Sequence, residues 1–158
     1  MVNIFGQEEF KPLVRFGKVI PGYYISYFGM AIGKNGKELK SHPIYRNRKD
    51  GSRCVSALKV RCIAPSDLYE DYTYNKDRPT ITVHRMVMET WRPIDEYPPE
   101  PLRNDWSKAP ESFKQWVRDT AIIDHIDDDP TNNHVDNLRW VVPKENSHHR
   151  KKQIGFLL

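Results

Sequence analysis

Residues 122–150, IIDHIDDDPTNNHVDNLRWVVPKENSHHR, gather five aspartates, four asparagines and four histidines into 29 positions. One apolar run, Leu138 to Val142, interrupts them. So polar a stretch has few ways to fold. AIID reads as a short apolar strand, IDDDPTNNHVDN as a polar loop and LRWVV as a second strand. A helix is then expected from Pro143, because proline is tolerated in a first turn and Glu145 favours the positive end of the helix dipole. The segment is thus a compact strand, loop, strand, helix unit. On that helix Asn146, His149, Arg150 and Gln153 share one face, and Lys144, His148 and Lys151 lie on the opposite one. The first face can look back at Asp124 and His125. Taken by themselves, these residues suit either a solvated loop rich in turn formers or a site that holds a metal ion.

The rest of the chain limits the choice. Its 158 residues make one domain on length, two at most, and 38% hydrophobic with 29% charged residues describes a small core under a polar surface. No run of about 18 apolar residues is present, so no membrane span is expected. The N-terminus, MVNIFGQEEF, lacks the basic start and apolar stretch of a secretory signal, so a cytoplasmic location is expected. Cys54 and Cys62 have no Cys-x-x-Cys partner and are read as two buried thiols rather than a disulfide. The net charge of +4 is patchy: KSHPIYRNRKDGSR and HHRKKQ are basic, IDEYPPEP and DHIDDDP acidic. Basic patches of this kind suit a polyanion such as nucleic acid.

Along the chain, residues 1–20 read as an irregular lead-in with one possible short element. From residue 21 the pattern is β-like. GYYISYFG is aromatic and β-branched, and Asn35-Gly36 is a two-residue hairpin signal, with Asp50-Gly51 as a second candidate turn. SALKVRCIA and PTITVHRMV read as strands, the latter running into a helix at about 84–91 that Pro93 stops. Residues 93–110 contain five prolines and are expected to form a connector braced by Tyr97 and Trp106. PESFKQWVRD should be a short helix that buries Phe113, Trp116 and Val117. The division expected is an N-terminal β-rich module over 1–92, the connector and short helix over 93–120, and the ββα unit over 121–158. The fold class is α+β.

Phosphodiester hydrolysis needs a base near neutrality for the attacking water, and a cation beside the phosphate and leaving oxygens. Histidine, at about 6.5 when unperturbed, suits the first task. Carboxylate and amide oxygens are hard ligands that suit magnesium or manganese. Asp124, His125, Asn137 and Asn146 provide candidates for these roles, and His149 adds a possible nitrogen ligand.

DHIDDDPTNNHVDNLRWVVPKEN resembles the HNH nuclease family, in particular the intron-encoded HNH homing endonucleases of phages. Their motif runs from Asp-His or Asn-His, through an Asp/Asn-rich loop ending in Asn-Asn, to Asn-Leu-Arg/Glu-Trp-Val and then Glu-Asn or a similar pair before a histidine. TVHRMVMETW is similar to the Val-His-Arg-Leu-Val segment that precedes that motif, and PGYYISYFGMAIGKNGKELK to the small N-terminal sheet of those enzymes. The resemblance implies an antiparallel N-terminal β region joined to a ββα-metal unit. It also implies a metal-dependent DNA endonuclease in which His125 is the general base. Asp124 and Asn146 become ligands of Mg²⁺ or Mn²⁺, with His149 a further one. Asn137 becomes the middle asparagine that braces the loop and orients the base.

Two departures stand out. The connector at 93–120 is longer than usual, and the chain ends eight residues after Arg150, without the long C-terminal DNA-reading region of larger homing enzymes. The expected partner is double-stranded DNA, bound by a monomer that nicks one strand. Arg46, Arg48, Lys49, Arg53, Arg85, Arg150, Lys151 and Lys152 are expected to contact phosphates.

Ordinary readings stand beside these. Asp127, Asp128 and Asp129 are turn formers facing water, Asn132 and Asn133 cap or pin the loop, and His134 is an exposed loop residue. Trp140 is core, and His84 packs under the ββα unit or bonds to its backbone. The alternative function is a non-catalytic nucleic-acid-binding protein within a phage assembly, and a third reading is a nuclease acting on RNA or as a toxin.

Overall fold

The structure, a computed structural model, describes residues 8–63 and 80–143. Over these residues it is an α+β fold of antiparallel strands and helices, as expected. Strands β1 (Phe10–Arg15), β2 (Lys18–Ser26) and β3 (Ala31–Ile32) form one sheet in that order. Residues 10–20, expected to be irregular, instead form the β1–β2 hairpin. Its two turn residues, Phe16 and Gly17, have φ of 52° and 72°, the left-handed pair that a tight hairpin requires. Phenylalanine seldom takes that conformation, so the sequence carries no Asn-Gly-type signal there. Pro12 lies beside a register shift on this edge strand, where its missing N–H removes no sheet bond that is needed.

A second sheet has the order β4 (His42–Asn47), β5 (Arg53–Arg61), β6 (Thr80–Thr82). The expected turns at Asn35-Gly36 and Asp50-Gly51 are present, with one residue more than a two-residue hairpin. In each, the glycine is left-handed (φ 71° and 82°) and the preceding turn closes three residues back, Gly36 N–H to Gly33 O and Gly51 N–H to Arg48 O. A type I turn followed by left-handed glycine accommodates the strand twist with three loop residues.

β6 runs directly into helix α1 (Val83–Trp91), whose buried Val83, Met86, Val87 and Trp91 lie one helical turn apart. It ends two residues before Pro93. Helix α2 (Glu111–Thr120) follows the proline-rich segment. The sequence reading buries three α2 side chains, but only Val117 is buried, at 0% exposure. Phe113 and Trp116 are exposed and lean on each other with ring centroids 5.9 Å apart. A ten-residue helix that touches the body along one narrow line leaves neighbouring apolar positions outside it. In the connector Trp106 is buried as expected, whereas Tyr97 is exposed. Cys62 is buried and its thiol is pushed up to about 12 by that burial. Cys54 is only half-buried, not buried as expected, because it lies at the exposed start of β5 beside Arg46.

Strands β7 (Ile122–His125) and β8 (Leu138–Val141) pair antiparallel, Asp124 opposite Arg139 and His125 opposite Leu138. Leu13, Ile20, Ile25, Val60, Ile81, Met86, Val117, Val135, Leu138 and Trp140 belong to one apolar cluster. Burying each such side chain contributes about 1.5–3 kcal/mol. The cluster therefore fixes the β7–β8 pair against α1 and, through α1, against the N-terminal sheet. Among the described residues no helix is long and apolar enough to cross a membrane.

Candidate active site

The polar loop between β7 and β8 is folded by its own side chains. Asp127 Oδ1 accepts from Asp129 N–H at 2.9 Å, and Asp129 Oδ1 accepts from Thr131 N–H at 2.8 Å and its hydroxyl at 2.7 Å. Asn132 Nδ2 donates to Asp127 Oδ2 at 2.7 Å. Hydrogen bonds from Asn132, from the Asp129 backbone and from Asn137 hold the Asp127 carboxyl below the usual carboxylate range. These aspartates form turns in solvent, in line with the ordinary reading. His134, expected to be exposed, is half-buried, edge-on to Tyr27 and Phe28, and its Nδ1 accepts from Asp136 N–H at 3.1 Å.

Asn137 closes this loop. Its Nδ2 donates to Asp127 Oδ1 at 2.8 Å and Asn132 O at 2.9 Å, its Oδ1 accepts from Asp127 N–H, and its main-chain O accepts from Ile126 N–H. The bracing geometry expected of Asn137 is thus present. The contact to His125, also expected of Asn137, comes instead from Asn133, whose Oδ1 lies 3.1 Å from His125 Nε2. The loop folds back so that residue 133 turns inward while residue 137 spans the loop's base.

Asp124 and His125 are adjacent at the end of β7, and the strand pleat sends them to opposite faces of the pair. Asp124 Oδ2 accepts from Arg139 Nε at 2.9 Å and Nη2 at 2.7 Å, a cross-strand fork on a mostly buried carboxylate. Among the described residues no hydrogen bond engages Asp124 Oδ1. The His125 ring meets the ring of His84 edge-on, with centroids 5.3 Å apart at 89°. His84 is therefore packed under the unit, as one of its two readings expected. Burial, then the charges of His125 and Arg85, push its imidazole down to about 3.

Among the described residues, no three His, Cys, Asp or Glu side chains converge as a metal-holding group. Asn146 and His149, the other expected ligands, lie outside the described residues, as do Arg150, Lys151 and Lys152. The part that is described fits a hard cation: a carboxylate fixed through one oxygen, with the second available. Arg46, Arg48, Lys49 and Arg53 are all exposed on the β4–β5 hairpin, with Arg53 over the Tyr45 ring. Arg85 is paired with Glu89 at 3.2 Å, and the two line a cleft of about 620 Å³ together with Arg15, Arg118 and Trp140.

Residues 116–148, about a fifth of the chain, match the HNH endonuclease family. The class that this match names is an endonuclease. The particular likeness is to the solved structure of the HNH homing endonuclease I-HmuI, a protein described as binding and cleaving DNA. The TM-score is 0.50 at 23% identity, over 92% of this chain and 59% of that one. At that identity the fold is what the two share, and this chain spans about three fifths of the other's length. A comparison with curated proteins finds no match to the chain.

Two features of the site go beyond the sequence reading. That reading makes Asn133, like Asn132, only a cap or pin of the loop and gives the base's orientation to Asn137. Arg139, opposite Asp124, can be found by pairing the two strands in register.

Proposed function

We propose that this chain is a divalent-metal-dependent DNA endonuclease that nicks one strand of double-stranded DNA. The observation that carries the reading is the Asp124–His125 pair at the end of β7, inside the segment that matches the HNH family. His125 accepts the proton of the attacking water, with its ring backed by His84 and bonded by Asn133. Asp124 and, by the resemblance, Asn146 and His149 hold Mg²⁺ or Mn²⁺. When bound, that ion supplies positive charge at the phosphate and the leaving oxygen. Asn137 keeps the loop closed behind the base. The cations of the β4–β5 hairpin and of residues 150–152 bind phosphates along the duplex. The chain acts as a monomer in the cytoplasm, a compartment that suits a DNA substrate and two free thiols.

The test is supercoiled plasmid incubated with Mg²⁺, with and without chelator, for the wild type and for His125→Ala. Cleavage should require the metal and should slow by roughly 10²-fold or more in the variant, the scale of a lost acid–base group, with DNA affinity nearly intact. DNA binding without metal-dependent cleavage would favour the non-catalytic alternative.

A further inference from the structure

Asn133 is 4% exposed, and its two side-chain bonds together determine the hydrogen placement on His125. Its Nδ2 donates to the main-chain oxygen of Thr131 at 3.1 Å. A carbonyl oxygen can only accept, so that bond decides which end of the amide is nitrogen. The other end, 3.1 Å from His125 Nε2, is the oxygen Oδ1, and it too can only accept. Nε2 therefore carries the hydrogen, and Nδ1 keeps its lone pair. We propose that Asn133 is the positioning residue of this site: it fixes His125 in the Nε2–H tautomer, with Nδ1 as the nitrogen that receives the water proton. The inference rests on the reading of His125 as the general base.

The surroundings hold Asn133 in place. The turn between β2 and β3 presses against it: a Cβ built on Gly29 would lie 3.0 Å from Asn133 Cβ and 3.1 Å from Val83 Cγ1. Two residues on, Val135 N–H donates to Tyr27 O at 3.1 Å, and Tyr27 Oη donates to Asp136 Oδ1 at 2.8 Å. Arg92 Nη1 donates to Val135 O at 3.1 Å and also pairs with Asp136. On the far side, the edge-on His84 ring restricts rotation of the imidazole. Asparagine at this position thus receives its geometry from the N-terminal sheet and from α1. The loop that carries it does not supply that geometry alone.

The experiment is ¹⁵N NMR of the full chain labelled at histidine, with the His125 ring assigned by its loss in His125→Ala. At a pH where the ring is neutral, long-range ¹H–¹⁵N correlations should show Nε2 protonated and Nδ1 unprotonated. Asn133→Ala should move both nitrogens toward the averaged values of a free imidazole. In plasmid cleavage, Asn133→Ala should lower kcat roughly 10- to 100-fold, the scale for losing a histidine's orienting partner, with KM and the half-maximal Mg²⁺ concentration unchanged. Asn133→Asp, which keeps an acceptor at the same place, should recover part of that loss. An Nδ1–H pattern in the wild type, or full kcat in a folded Asn133→Ala, would overturn the proposal. Wild-type protein that cuts nothing would sink the nuclease reading, and the ring spectrum would still decide whether Asn133 sets the tautomer.

Discussion

At the scale of single residues, His84 is the point at which the core meets the site. Its Nε2 lies 3.1 Å from Thr82 Oγ1, and its Nδ1 is buried with no hydrogen-bond partner among the described residues. A neutral ring suits this place, and a charged one does not. Because burial depresses the folded pKa to about 3 from 6.5, the folded state binds this proton less readily than the unfolded chain. The stability from a neutral His84 is complete above about 6.5 and is lost as pH falls toward about 3. Within that window the loss should approach about 1.4 kcal/mol for each pH unit. Urea melts across the range should show this slope, and His84→Phe, which keeps a ring without a titrating nitrogen, should flatten it. Equal slopes in the two proteins would remove His84 as the cause.

Asp124 belongs to the same scale. The Arg139 fork holds one oxygen and leaves the other for a cation, so Asp124→Ala should raise the half-maximal Mg²⁺ concentration at least roughly tenfold, since a hydrated hard cation has few protein oxygens to lose. Titrating metal against cleavage reads this directly. An unchanged curve would mean that the ion is held elsewhere.

At the scale of elements, the β2–β3 turn acts on a loop far along the chain. Gly29 has φ of 93° and its missing Cβ leaves room for Asn133, whereas Gly36 has φ of 71° and a Cβ there would meet nothing within 4 Å among the described residues. Alanine at Gly36 should cost about 1–2 kcal/mol, from backbone conformation alone. At Gly29 the same strain is joined by a contact with the site, so the cost should reach about 3 kcal/mol or more and kcat should fall with it. Thermal melts and cleavage rates of the two variants make the comparison. Matching losses at both positions would mean that the contact at Asn133 yields freely. Helix α2 shows the opposite case: Phe113 and Trp116 have the spacing of a buried face, but of the three apolar side chains only Val117 is buried.

At the scale of the whole molecule, the DNA-binding surface should be electrostatic and separate from the chemistry. Arg46, Arg48, Lys49 and Arg53 are exposed on a ribbon whose outer strand, β4, pairs among the described residues only with β5. Each phosphate contact adds about 0.9 to the slope of log affinity against log salt, so changing all four to glutamine should flatten that slope by roughly 3 to 4. A slope left untouched would place the DNA on another surface. The one Asp124–His125 pair also bears on the product. One constellation handles one phosphodiester at a time, and double-strand cutting needs a second copy related by two-fold symmetry. Supercoiled plasmid should therefore pass first to the relaxed circle. Linear DNA without a relaxed precursor would indicate a dimer.

What is legible in the sequence lies within the reach of single elements. The period of VHRMVMETW makes α1, and two short apolar runs around a polar loop make β7 and β8. The adjacency of Asp124 and His125 needs no structure to be seen. The left-handed Phe16 that closes the first hairpin is hidden, because its conformation is imposed by two strands that must meet. Which asparagine bonds His125 is hidden for a related reason. Asn132, Asn133 and Asn137 have the same chemistry and lie in one loop, so local propensity cannot rank them. Packing against Gly29 turns Asn133 inward, and that contact joins parts of the chain which only the shared core brings together.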